Sequence, residues 1–387
     1  MIAKRIRPLA WKLALLAVVI SLVLTVSGCT GLGGAQAGWS GVAVDDGSLY
    51  FGSASGDLVK MNAENGVRMW FISFETSSSG SLLGCGAGST AVAIYGTPAI
   101  DGKLVCVTTT GGQISAFNTD GASLWEYPGE DKSLYSFVGG PMIYQGMVYA
   151  ATANGNIYAL DAATGELVWE VEIGEDTWAT PSIYNDTLYI GTFDKKVYAL
   201  DATTGTQKWQ QPFETNGPIV STTLVDNGTV YVASFDRHIY ALDSTGGELL
   251  WQFPQTEGNG ENTPLNWFWA SPMLHNGSIY AANMDGNIYV LEAASGSLIS
   301  VIELGSAVSA TPAAANNRLY ITTQEGNLFY IDMDDNSKLE LPMLGGKVTA
   351  PLTTNNGIVY IHTQEDEIIY AINAETGVSL WSAPIND

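Results

Sequence analysis

The chain has 387 residues, of which 46% are hydrophobic and 14% charged, and its formal net charge is −24. Such an acidic chain is excluded as a nucleic-acid binder, because phosphate affinity comes mainly from Lys and Arg. Length alone allows two or three domains, but the repeats described below argue for one closed domain, since no single unit has a core of its own.

The N-terminus reads as a targeting segment. Lys4, Arg5, Arg7 and Lys12 form a basic region, and an apolar run follows over residues 13–26. Such a run falls short of the roughly 20 residues a membrane-spanning helix needs and suits the apolar region of a signal peptide. It closes on Val26-Ser27-Gly28-Cys29, which resembles the bacterial lipobox, with small residues before the cleavage point and a Cys sulfur to carry lipid. The alternative is an ordinary signal peptide with an incidental Cys. Residues 1–28 are therefore expected to be a lipoprotein signal peptide, and residues 29–38 a lipidated, palmitate-type Cys29 with a small flexible tether. Buried acyl chains contribute on the order of 0.8 kcal/mol per CH₂, enough for two or three to hold a soluble domain at a membrane. Cleavage removes four basic residues and no acid and leaves a net charge of −28, so the lipid is the expected membrane contact. Thr30 stands where an Asp would resemble an inner-membrane retention signal. The expected location is the outer membrane in a two-membrane cell and the cell surface otherwise.

From Trp39 onward the chain repeats one unit eight times. Residues 154–169, N-G-N-I-Y-A-L-D-A-A-T-G-E-L-V-W, show its heart: a strand-length apolar run ending at Asp161, a turn closing on Gly165, and a second run ending at Trp169. Two such runs joined by a Gly-containing turn make a β-hairpin. The first unit has strands near residues 49–52 and 58–62, then Gly66 and Trp70. The second has 104–107 and 114–118, then Gly121 and Trp125, and the third has 148–150 and 157–161. The fourth and fifth are the most regular and end at Trp209 and Trp251. The sixth has Ser300 where Trp would stand, the seventh has Asn336 for Gly and no Trp, and the eighth ends at Trp381. Six units open with a strand beginning at a proline, such as Pro98 or Pro181, a position where no ladder bond is lost. Each unit is then four short strands of about 40 residues, the size of a propeller blade. Runs such as Val197-Tyr198-Ala199-Leu200 are apolar on both faces, so each sheet must be covered on both sides. The outer-strand tryptophans, Trp70, Trp125, Trp169, Trp209, Trp251 and Trp381, read as wedges between blades, and Asp161 and its equivalents as caps of the hairpin turn.

The pattern Y-A-L-D-A-x-T-G-x-x-x-W, complete at residues 158–169 and 198–209, closely resembles the repeat of PQQ-like β-propellers. That family includes quinoprotein dehydrogenases and BamB, the propeller lipoprotein of the outer-membrane β-barrel assembly machinery. The resemblance covers residues 39–384 and implies an all-β, eight-bladed propeller of four-stranded blades over residues 39–387. Eight units behind a lipobox look more like BamB than like a dehydrogenase. The last unit supplies all four of its own strands, so closure rests on packing between blades one and eight, or on an edge strand from residues 34–38.

No catalytic residue or metal ligand set is picked out. The dehydrogenases stack PQQ on a Trp beside Ca²⁺, often over a disulfide of adjacent Cys residues. Here there is no adjacent Cys pair and no recognisable acidic Ca²⁺ loop, so no cofactor, PQQ included, is expected. His238, His275 and His362 lie in three different blades without ligand spacing. Cys85 and Cys106 are either a disulfide between the first interblade loop and the next strand or two buried thiols. Departures from the repeat are the Ser/Gly-rich loop over residues 75–92 and the segment 254–269, which ends Trp267-Phe268-Trp269. Trp269 aligns with Trp39, Tyr95 and Trp178 at the start of the first strand, the one that lines a propeller's channel. These aromatics either bind a flat ligand or a partner's side chain at the channel mouth, or plug the channel as packing. The reading that follows is a lipid-anchored, non-catalytic protein-binding scaffold of the cell envelope, BamB-like in a two-membrane cell, with a β-barrel assembly complex as partner. The rivals are a PQQ- or quinone-binding dehydrogenase-like protein stacking its quinone on Trp178 and Trp269, and a sugar-binding surface protein using Trp267 and Phe268.

Overall fold

Each repeat folds as a four-stranded antiparallel meander, and eight of these close into a ring. The structure, a computed structural model, describes residues 40–74, 92–129, 132–174, 176–255 and 262–385. The signal peptide, Cys29, the tether, Trp39, Cys85, most of the loop over residues 75–92, and Glu257 and Glu261 lie outside the described residues. The blades occupy residues 43–73, 99–127, 142–172, 182–214, 224–253, 273–303, 313–341 and 353–384. In every blade the strands neighbour one another in chain order, and all pairs are antiparallel. The protein is an eight-bladed all-β propeller, and every blade is built from one continuous stretch of chain.

The two middle strands carry the core. In the third blade Asn156–Asp161 has its four central residues buried, and Lys196–Asp201 repeats this in the fourth. Both faces are covered because neighbouring blades pack against them, which is why the runs do not alternate apolar with polar. The innermost strands are only three residues long and begin just after the prolines, as in Met142–Tyr144 after Pro141. The outermost strands are unpaired edges with exposed residues on one face, as in Leu167–Glu172.

The turn before the outer strand is fixed locally. Asp161 Oδ1 accepts the Ala163 N–H at 3.0 Å, the Thr164 N–H at 2.9 Å and the Thr164 hydroxyl at 2.9 Å. These bonds, that of the Thr164 hydroxyl first, hold the Asp161 carboxyl below the usual range. Asn373 repeats the arrangement in the last blade. Gly165, at φ +73°, closes the turn, and a Cβ on it would lie 2.6 Å from the Trp125 ring of the preceding blade. Only Gly fits both demands.

That contact is the joint of the ring. Each outer-strand Trp lies against the turn glycine of the next blade and donates its indole N–H to a carbonyl in that turn. Trp125 reaches Ala162 at 2.9 Å, Trp169 reaches Ala202 at 3.0 Å, Trp209 reaches Ser244 at 3.0 Å and Trp251 reaches Ala293 at 2.9 Å. A tyrosine of the second strand meets the same carbonyl: Tyr149 donates to Ala202 at 3.0 Å and Tyr189 to Ser244 at 2.9 Å. Burial pushes the Tyr149 hydroxyl up to about 12, so it stays a donor at any physiological pH. Blade eight joins blade one in the same way, with Trp381 and Tyr360 both on the Ala63 carbonyl at 3.2 and 3.3 Å. Thr353 also donates to the Val42 carbonyl at 2.6 Å, and Arg68 to the Ile385 carbonyl at 2.7 Å. Among the described residues closure is by packing and hydrogen bonds between complete blades, and the segment 34–38 that could add an edge strand lies outside them.

Candidate functional site: the axial mouth

The short inner strands surround the axis, and the residues at their starts line a cavity of about 120 Å³. Close approach is needed there: a Cβ on Gly96 would lie 2.2 Å from the Gly140 backbone. Reading one position per blade from blade two to blade eight, the wall is Tyr95, Val138, Trp178, Val220, Trp269, Ser309 and Thr349. At this position blades two to six carry apolar and aromatic residues and blades seven and eight carry hydroxyls, while Thr97, Thr180, Ser221, Thr222 and Ser271 add hydroxyls to the wall from the other blades. By blade order, Trp178 stands opposite Thr349 across the eightfold ring. Among the described residues no charged side chain lines the cavity.

The structure brings together Trp178 and Trp269, whose ring centroids are 6.4 Å apart. They belong to blades four and six, and they meet because the residue between them on blade five, Val220, is small. Phe193 packs edge-on against Trp178 at 4.7 Å, and Phe235 lies 5.4 Å from Trp269 and stacks on Trp267 at 5.1 Å. Five rings thus form a continuous aromatic rim on one face. Tyr95 lies in the same cavity wall, and burial raises its hydroxyl above the ordinary value.

Phe268 corrects the sequence expectation. It is fully buried (0% exposed) and packs edge-on against Tyr289 in the core between blades five and six, so it is closed to a ligand. Alternation explains this: Trp267 and Trp269 project one way and Phe268 the other. Phe193 and Phe235 are the members that sequence reasoning missed. They occupy one column of the repeat, two residues beyond the second strand, where other blades have Ala54, Thr110 or Ala153. Aligning that column would have found them.

Cys106 occupies the tyrosine column of blade two. It is a free thiol, fully buried against Trp125 and Tyr158 of the seam with blade three, and burial pushes it up to about 12. Its proposed partner, Cys85, lies outside the described residues.

The histidines serve blade contacts. His238 Nδ1 lies 3.5 Å from Asp236, whose carboxylate also accepts the Tyr240 hydroxyl at 2.7 Å and the Asn216 N–H at 2.8 Å. Burial alone would raise Asp236, but the bonds from His238, Tyr240 and Asn216 outweigh it and hold the carboxyl below the usual range. His275 bonds Asn317 of the next blade at 2.9 Å. His362 Nδ1 bonds the Ser40 carbonyl at 2.9 Å across the closing seam, and its ring lies 5.3 Å from Phe51. Burial lowers its basicity, partly opposed by that bond and by Glu367. Among the described residues no three His, Cys, Asp or Glu side chains are grouped to hold a metal ion.

The sequence profile of the family described as outer membrane protein assembly factor BamB matches residues 10–182 and 155–383. The protein of that name from Nitrosomonas eutropha is 28% identical, over 34% of this chain and 38% of its own length. Its counterpart from Burkholderia pseudomallei is 29% identical, over 35% and 30%. The chain thus spans about a third of the length of these curated relatives. Among solved structures, BamB from Moraxella catarrhalis superposes with a TM-score of 0.52 at 23% identity, covering 63% of this chain and 71% of that one. The computationally designed Ika8 protein gives 0.68 at 16% identity, covering 87% and 96%. A quinohemoprotein alcohol dehydrogenase from Pseudomonas putida gives 0.56 at 16%, covering 75% and 66%. At these identities the likeness to the structures is one of fold.

Proposed function

Because the chain belongs to the propeller family described as outer membrane protein assembly factor BamB, we propose that it is a non-catalytic protein-binding scaffold of the cell envelope. In a two-membrane cell its work is assembly of outer-membrane β-barrel proteins. Residues 1–28 act as the signal peptide and Cys29 carries the lipid, with the propeller held outside the cytoplasm by the tether. The family match along essentially the whole ring carries this reading. The rim offers surface for a partner: the outer strand Arg68–Ser73 is an unpaired edge, with Met69 and Phe71 each 54% exposed and Val67 just before it 60% exposed.

The quinone-dependent alternative fits the site poorly. PQQ carries three carboxylates, and the described residues lining the cavity include no Lys or Arg to neutralise them. We take the chain to act without that cofactor.

The test is affinity capture with the tagged full chain from detergent-solubilised envelope, with calorimetry against PQQ plus Ca²⁺ in parallel. Recovery of a β-barrel assembly subunit, lost on Phe71→Asp and retained in a Trp178→Ala control, is the expected result. Saturable PQQ binding that Trp178→Ala abolishes would overturn the scaffold reading.

A further inference from the structure

From the axial mouth we infer a second activity, independent of any protein partner: binding of one neutral pyranose unit, free or at the end of a glycan. A pyranose has an apolar C–H face and a rim of hydroxyls, and the cavity presents both kinds of surface. Trp178 and Trp269 supply aromatic surface, and hydroxyls, among them those of Ser309, Thr311 and Thr349, line the same wall. Aromatic rings take the C–H face, and a few convergent hydroxyls fix orientation.

The hydroxyls are poised for a ligand rather than consumed by the fold. Thr311 Oγ1 accepts the Ser271 N–H at 3.1 Å and Ser309 Oγ accepts from Gln324 at 3.0 Å, which leaves each hydroxyl hydrogen to donate. Among the described residues Thr349 Oγ1 is buried without a hydrogen-bond partner. A buried polar atom left in that state calls for an explanation, and a ligand hydroxyl supplies one. Charge narrows the class. With no charged side chain among the described residues of the wall and an acidic chain around it, uronic acids, sugar phosphates and other anions are disfavoured.

The test uses the full chain in a detergent without a sugar headgroup, titrated with methyl α-glucopyranoside, methyl β-galactopyranoside and methyl N-acetyl-β-glucosaminide. Saturation-transfer NMR reads which ligand protons meet the protein. Saturable binding of at least one glycoside, with a Kd of about 1 mM or tighter, is expected, with transfer strongest to the ring C–H protons. Trp269→Ala should weaken it at least tenfold, and the isosteric Thr349→Val should weaken it several-fold while leaving the melting temperature unchanged. Absence of saturable binding to all three glycosides up to about 10 mM, or equal affinity in Thr349→Val, would overturn the inference. A preference for an anionic sugar over its neutral parent would do the same. Val168→Asp, on the exposed outer strand of blade three, should leave the affinity unchanged.

Discussion

Two kinds of seam hold this ring together. At six of them a Trp packs on the next blade's turn and donates to a carbonyl there; between blades six and seven, and seven and eight, it does not. At the first of these Ser300 stands in the Trp position with its hydroxyl buried and unpartnered, and Asn336 replaces the turn glycine at φ +59°. At the second, Leu341 rather than an indole lies against Gly377. What remains at both is the tyrosine: Tyr280 reaches Met333 at 3.4 Å and Tyr320 reaches Ala374 at 2.9 Å. Blade two shows the converse, with Cys106 in the tyrosine column and Trp125 still on its carbonyl. Trp and Tyr are therefore two donors to one acceptor, and every seam keeps at least one. A buried carbonyl is costly to leave unpaired, whereas a second donor adds packing area and less hydrogen-bond energy.

The largest expected effect is at a Trp seam. Trp209, 2% exposed, is the most buried of the six, and Trp209→Ala should destabilise the chain by about 3–5 kcal/mol in urea or thermal unfolding. A loss under 1 kcal/mol would show that the Trp contacts are incidental. Next comes Gly165→Ala, whose new Cβ meets the Trp125 ring at a positive φ; about 1–3 kcal/mol should be lost. The Trp-less seam can be repaired. Ser300→Trp alone should not stabilise, because Asn336 occupies the place of the receiving glycine. Combined with Asn336→Gly it should gain about 1 kcal/mol, and an additive pair of single-mutant effects would break the account.

The tyrosines give a finer comparison. Tyr320→Phe strips Ala374 of its side-chain donor and should cost about 1–3 kcal/mol, whereas Tyr149→Phe leaves Trp169 on Ala202 and should cost about 0.5–1 kcal/mol. Equal costs would refute the shared-acceptor picture. The closing seam adds a buried histidine. His362 is held neutral by burial, so the unfolded chain takes up its proton first as pH falls below 6.5. Stability from this group is complete above that value and declines below it, by at most about 1.4 kcal/mol per pH unit. Denaturation midpoints measured from pH 7.5 down to 5.5 should show that slope, and His362→Gln should remove it.

The repeat was legible because its signals are local. The Asp161 cap, the Gly165 turn and the run of residues 157–160 each act within a few residues. The mouth was half legible. Trp178 and Trp269 share a column at the start of the inner strand, and that column points at the axis. Phe268, between two of the aromatics, lies in the core rather than at the mouth because strand-like alternation turns it inward. Phe193 and Phe235 were invisible to a reading along the chain, since they come from the second-strand turns of blades four and five.

The sequence by itself determined the number of blades, the four-stranded unit and the closed all-β class, because turn chemistry and two-faced apolar runs are properties of neighbouring residues. It also placed the six tryptophans and the two gaps in their series. Only the tertiary structure decided that Trp and Tyr converge on one carbonyl, that blades one and eight close without sharing a strand, and that aromatic and hydroxyl side chains meet in one axial cavity. Those facts depend on which residues meet between blades about 40 positions apart and across the ring. That meeting is set by ring closure and packing, which no local signal encodes.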